Sequence, residues 1–258
     1  MVMIRELRIV MPMSLEEYEV GMIYTIMKME QENLTSREGV EVLENLCFED
    51  DMLGNGQYTS KIYHLQSKLP TWLKTFAPKS SLKIQEESWN AYPKSKTVIK
   101  SSCFNQCLLT VETINKPDNG CSENVFGLSD ELIAVRKLEV LDINSVEKDY
   151  WSKIISMKKI DFSAFESKRT GRGPLLKGWQ NTCKPVMTAY KLVTVDAPIW
   201  GFGNRLEETI QAAQRALLLE SHRLCFMQID KWFGMTMHQI SDTEKDDDLQ
   251  AVFTAQKR

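Results

Sequence analysis

Little in this chain points to catalysis, to a membrane span or to an oxidising compartment. Its 258 residues include only three histidines, and its 32 Lys and Arg nearly balance 35 Asp and Glu, for a formal charge of −3. So slight a charge argues against broad nucleic-acid binding, which needs a clustered basic face. No run reaches the ~20 apolar residues of a membrane-spanning helix. The N-terminus carries Arg5 and Arg8 but no apolar stretch of signal-peptide length, so none is expected. Cys47, Cys103, Cys107, Cys121, Cys183 and Cys225 are scattered without a CxxC pair. Thiols used in this way read as reduced and cytosolic, and with no second close pair beside Cys103 and Cys107 a zinc site is not expected. Enzyme signatures are missing too: no GxSxG, HExxH or GxxxxGK[ST] occurs, and GFGNRL at 201–206 breaks the dinucleotide fingerprint at its third glycine.

What is present is globular, with 43% hydrophobic and 26% charged residues. A fold of this length buries about three-quarters of its unfolded surface, enough for a core with room for a ligand. Residues 4–11 alternate as a strand. Ser14 and Glu17 then form a capping box, with Met13 and Tyr18 at the staple positions, and the apolar spacing predicts a helix over 14–30. Strands are expected over 39–45, 56–66, 82–91, 95–101, 106–114, 135–142 and 186–195, with a short helix opened by Pro70 and turns at Asn105 and Pro117–Gly120. From 204 to 232 there is no Gly or Pro, and Leu206, Ile210, Ala213, Leu217 and Leu224 mark the stripe of a helix about 40 Å long. Gly234 suits its end, Thr236 caps a further helix, and 242–248 is an acidic stretch. Many strands, one early helix and one long late helix imply an antiparallel α+β fold in a single domain.

Three segments invite a chemical reading. On a period of two, Gln57, Thr59, Lys61 and Tyr63 share one face of a strand. Taken alone, this is the wet face of a sheet; turned inward, Lys61 needs an anionic or polyhydroxyl ligand. RTGRGPLLKG at 169–178 lies in a locally positive region and reads as a mobile basic loop. Ala197 to Phe202 places Ile199, Trp200 and Phe202 between Pro198 and two glycines, either tucked under the fold or exposed as a bilayer insertion point.

The strings REGVEVLEN (37–45), GQYTSKIYHLQSKLPTW (56–72), WNAYP (89–93), TGRGPL (170–175), AYKLVTV (189–195) and DKW (230–232) resemble the phosphatidylinositol transfer protein family in order and spacing, over about residues 3 to 244. The resemblance implies an α+β fold of START-like helix-grip type, a concave, mostly antiparallel sheet gripping long helices around an enclosed phospholipid cavity. It implies one lipid-transfer domain over 1–258, with 236–258 as a C-terminal lid. It turns Lys61 inward: positions matching Thr59, Lys61, Asn90 and Glu244 bind the inositol ring, whose hydroxyls need both donors and acceptors. Those matching Thr97, Thr113 and Lys191 lie at the phosphate. The family's paired tryptophans for membrane docking fall at Ile199 and Trp200, and its regulatory serine matches Ser167. Met22 stands where the family commonly has Gln, and Ser95 where it has Cys.

The implied function is non-catalytic transfer of phosphatidylinositol, and of a second phospholipid such as phosphatidylcholine, between membranes. The alternatives are a lipid-dependent adaptor presenting phosphatidylinositol to a lipid kinase, or phosphatidic acid as the counter-ligand. No cofactor, metal or nucleic acid is expected. The location implied is the cytoplasm, with transient visits to membrane surfaces.

Overall fold

The structure is a computed structural model that describes residues 2–34, 40–64, 83–101, 107–145, 150–154, 160–240 and 242. The predicted helix at Pro70, the turn at Asn105, Cys103 and Glu244 lie outside these residues. Eight strands among them make one sheet: β1 (Met3–Met11), β2 (Val40–Asp50), β3 (Gly54–His64), β4 (Lys83–Ala91), β5 (Lys94–Ser101), β6 (Leu108–Lys116), β7 (Lys137–Leu141) and β8 (Met187–Asp196). Their order is β2-β3-β4-β5-β6-β8-β1-β7. Every pairing is antiparallel except β1 with β7.

Helix α1 (Leu15–Leu34) opens on the predicted box. Ser14 N–H donates to Glu17 Oε2 at 2.7 Å, and Glu17 N–H donates to Ser14 Oγ at 3.3 Å. Met13 and Tyr18 are both buried. Short helices α2 (Asp130–Val135) and α3 (Tyr150–Ile154) precede α4 (Gly203–Met227), whose 25 residues span about 37 Å. α4 lies on the face of β1 that carries Leu7, Ile9 and Met11: Gln211 Nε2 donates to Val193 O at 3.0 Å, and Arg215 Nε to Glu139 at 2.7 Å. Among the described residues no helix is long and apolar enough to cross a membrane.

The helix expected over 204–232 is divided. It stops at Met227, and Gln228 turns the chain into α5 (Ile229–Trp232). No Gly or Pro announces this break; tertiary contacts set it. The turn drives Trp232 into the core, where its Nε1 donates to Cys225 O at 2.8 Å, and it aims Asp230 at the basic loop. Residues 237–240 form the helix that Thr236 caps, with Gln239 answering reciprocally: Thr236 N–H donates to Gln239 Oε1 at 2.8 Å and Gln239 N–H to Thr236 Oγ1 at 3.3 Å.

Gly21 is where α1 meets this corner. A Cβ there would stand 2.7 Å from the Trp232 ring and 2.9 Å from Cys225 Sγ. In an open helix, Gly→Ala gains about 1 kcal/mol. Here overpacking a buried tryptophan costs about 1–3 kcal/mol and outweighs it. Gly21→Ala is therefore expected to lower the melting temperature by several degrees, measured by circular dichroism.

The basic loop is pinned, which corrects the expectation of a mobile one. Asp230 accepts from Ser167 Oγ at 2.5 Å and from the N–H groups of Lys168 and Arg169 at 3.0 Å each. Arg172 Nη2 reaches Glu17 of α1 at 2.8 Å. These donors, the Ser167 hydroxyl foremost, hold the Asp230 carboxyl below its ordinary range.

Candidate functional site

Residues opposite one another on neighbouring strands share a face, so the register shows which side chains meet. One row runs Gln57, Asn90, Ser95, Thr113, Lys191, Leu7 from β3 to β1. The next runs Thr59, Ser88, Thr97, Val111, Val193, and a third Lys61, Glu86, Ile99, Leu109, Val195. All three rows lie on the face with Leu7, the face that α4 covers. Thus Thr59, Lys61, Asn90, Thr97, Thr113 and Lys191, drawn from five strands, share the helix-bearing side. Apolar residues dominate its β8–β1 end and polar residues its β3–β5 end. Gly56 permits this assembly, because a Cβ there would lie 2.0 Å from Asn90 O.

The Lys61 end is a charged cluster. Lys61 Nζ sits 2.6 Å from Glu30 Oε1 of α1, with side-chain exposures of 18% and 27%. Tyr63 Oη is 3.5 Å from Glu30 and 3.4 Å from Glu86. Burial raises the Glu86 carboxyl, with Lys61 opposing that rise and Glu30 reinforcing it. Thr59 neighbours Lys61 on the same face of β3, with Thr97 in that adjacent row and Asn90 one row further away. Ser88 Oγ and Thr97 Oγ1 are 3.1 Å apart, and Asn90 is exposed.

Toward β8 the arrangement differs. Lys191 Nζ donates to Thr113 Oγ1 at 3.1 Å, and burial pushes its ammonium down to about 8. Among the described residues no carboxylate is paired with it. His222 of α4, also buried, places Nδ1 2.6 Å from Leu218 O. A carbonyl only accepts, so Nδ1 carries the proton and Nε2 accepts from Tyr18 Oη at 2.8 Å. Burial first, and the Lys191 charge second, push His222 down to about 3. The imidazole is therefore neutral, which leaves the ammonium as the cation of this region. Met22 lies one helical turn beyond Tyr18, partly buried against the core.

The 197–202 loop separates its three apolar residues. Trp200 is 97% exposed, whereas Ile199 and Phe202 pack on Cys107, Ala197 and Leu206. Glu207 braces the loop by accepting from Ala197 N–H at 3.1 Å. Ser167 is buried, so modifying it requires the loop to leave Asp230. A cleft of about 350 Å³ lies between residues 170–175 and 179–185, apart from the sheet residues above. Among the described residues there is no group of His, Cys, Asp and Glu fit to hold a metal.

The sequence places Tyr63 on the Lys61 face and Tyr18 at the helix staple without a role at the site, and it does not single out Glu30, Glu86 or His222. One signal was available: a lysine turned inward needs a counter-charge, and Glu30 lies at the end of the predicted helix. The pairing itself is a long-range contact that no local pattern encodes.

A mostly antiparallel sheet that gathers hydrogen-bonding side chains beneath long helices defines an α+β binding protein. The comparisons narrow that class. The family model described as Phosphatidylinositol transfer protein matches residues 2–248, and the chain belongs to that family. It is 37% identical over 247 residues to the cytoplasmic phosphatidylinositol transfer protein 1 of Drosophila melanogaster, covering 95% of this chain and 88% of the relative. It is 38% identical over 241 residues to phosphatidylinositol transfer protein 1 of Dictyostelium discoideum, covering 92% and 90%. The human phosphatidylinositol transfer protein beta isoform is 36% identical over 264 residues, covering 100% and 96%.

Proposed function

We propose that this protein encloses one phosphatidylinositol molecule and carries it between membranes without making or breaking covalent bonds. The inositol ring lies over Thr59, Lys61 and Asn90, with Glu244 as a further ligand to it, and the phosphate lies at Thr97, Thr113 and Lys191. The observation that carries this reading is Lys191, a buried ammonium with no carboxylate paired to it among the described residues. A buried charge demands a partner, and a phosphodiester supplies one. The ring hydroxyls suit the mixed donors and acceptors of the β3–β5 rows.

The physical task is to shield hydrocarbon from water. At about 0.8 kcal/mol per CH₂, two acyl chains of some thirty methylenes cost on the order of 20 kcal/mol to expose, too much for spontaneous exchange on cellular timescales. The apolar part of the helix-covered face receives the chains, and the 197–202 loop moves aside at the bilayer. A second phospholipid such as phosphatidylcholine uses the phosphate residues alone, with Met22 and Ser95 setting its preference.

Transfer of labelled phosphatidylinositol between vesicles, with mass spectrometry of the lipid that co-purifies, tests the reading. Binding without transfer would instead indicate an adaptor, and release of a hydrolysis product would indicate an enzyme. Trp200 is the docking contact. Trp200→Ala is expected to slow vesicle binding and exchange roughly tenfold, the equivalent of 1.4 kcal/mol, while sparing the lipid already enclosed. Unaltered rates would make the loop structural.

A further inference from the structure

The two ends of the polar face differ in charge. At Lys191 an ammonium has no carboxylate paired with it among the described residues. At Lys61 one ammonium faces two carboxylates: Glu30 at 2.6 Å, and Glu86, which lies opposite Lys61 on β4. Tyr63 Oη lies within 3.5 Å of both acids, so these two carboxylates and the phenol converge where Lys61 points.

Resting on the reading above, we propose that Glu30 is a headgroup-selectivity residue which, with Glu86, rejects inositol rings that carry a further phosphate. An unsubstituted ring offers hydroxyls that donate to the two carboxylates and accept from Lys61 and Tyr63. A ring phosphate adds a charge of about −1.5 to −2 and three acceptor oxygens. Lys61 is already neutralised by Glu30, so the added anion meets net repulsion and carboxylate oxygens that cannot donate to it. Discrimination through a repulsive element of this kind is stronger than a missing contact alone provides. Glu30 does a second thing: it joins α1 to β3, so ring and helix compete for the same ammonium.

The test is the ratio of vesicle-to-vesicle transfer rates for labelled phosphatidylinositol and phosphatidylinositol 4-phosphate. The wild-type protein is expected to prefer the unphosphorylated lipid by at least about tenfold, and Glu30→Gln, which keeps the shape but removes the charge, to lower that ratio by about tenfold. Glu86→Gln is the second variant, expected to move the ratio the same way if Glu30→Gln does not fold. An unchanged ratio in a folded variant overturns the inference. Equal transfer of both lipids by the wild type also overturns it while leaving the transfer reading intact. Failure of the wild type to move either lipid overturns both.

Discussion

Lys61→Ala is expected to reduce phosphatidylinositol transfer by about 10- to 150-fold, the equivalent of one charge-assisted hydrogen bond worth about 1.5–3 kcal/mol. Two effects act together. The ring loses its cationic donor, and Glu30 and Glu86 are left facing each other across Tyr63 with no ammonium between them. The fold is expected to survive, because Lys61 lies on the rim of the helix-covered face and makes no part of the apolar cluster around Leu7, Val111 and Val193. Circular dichroism checks the fold and vesicle transfer checks the loss. A second phospholipid without an inositol ring is expected to move at a rate little altered by the substitution. If phosphatidylinositol transfer is unchanged, the headgroup lies elsewhere.

Raising the pH from 7 to 9.5 is expected to weaken phospholipid binding by about 30-fold through Lys191, at roughly tenfold per pH unit above the lysine's own value. Burial pushes that value down to about 8 in the lipid-free protein. A phosphodiester 3–4 Å away favours the charged form and restores the value toward that of a free lysine, about 10.4. Binding therefore takes up a proton above pH 8, and affinity falls as that proton becomes scarce. The stability of the lipid-free form moves the opposite way. The folded value lies below the unfolded one, so charging Lys191 opposes folding below pH 8, and stability rises between about 8 and 10.4 as this opposition is lost. His222 does not blur the window, since it is pushed down to about 3 and stays neutral throughout. Lys191→Met is expected to bind weakly at every pH and to lose the slope. A wild-type profile flat from 7 to 9.5 would remove the lysine from the phosphate site.

The alternation in residues 56–64 was enough to show that Thr59 and Lys61 share a face, and the Ser14–Glu17 box was enough to start α1. Those are local properties: a pleat of period two and a cap spanning four residues depend only on neighbouring atoms. The long stretch free of Gly and Pro likewise revealed α4, but not its end. Met227 is followed by Gln228, and the turn there exists because Trp232 is drawn into the space left by Gly21 and Asp230 is drawn to the Ser167 hydroxyl and the Lys168 and Arg169 amides.

By itself, then, the chain determined its strands, its two long helices and which polar side chains stand together on each strand. Only the tertiary structure decided which face is inside, that Glu30 meets Lys61, that Lys191 has no carboxylate paired with it among the described residues, and that Trp200 projects while Ile199 and Phe202 pack inward. The reason is one of range. Backbone geometry over a few residues sets periodicity, whereas burial and charge pairing depend on what the rest of the chain lays across that face.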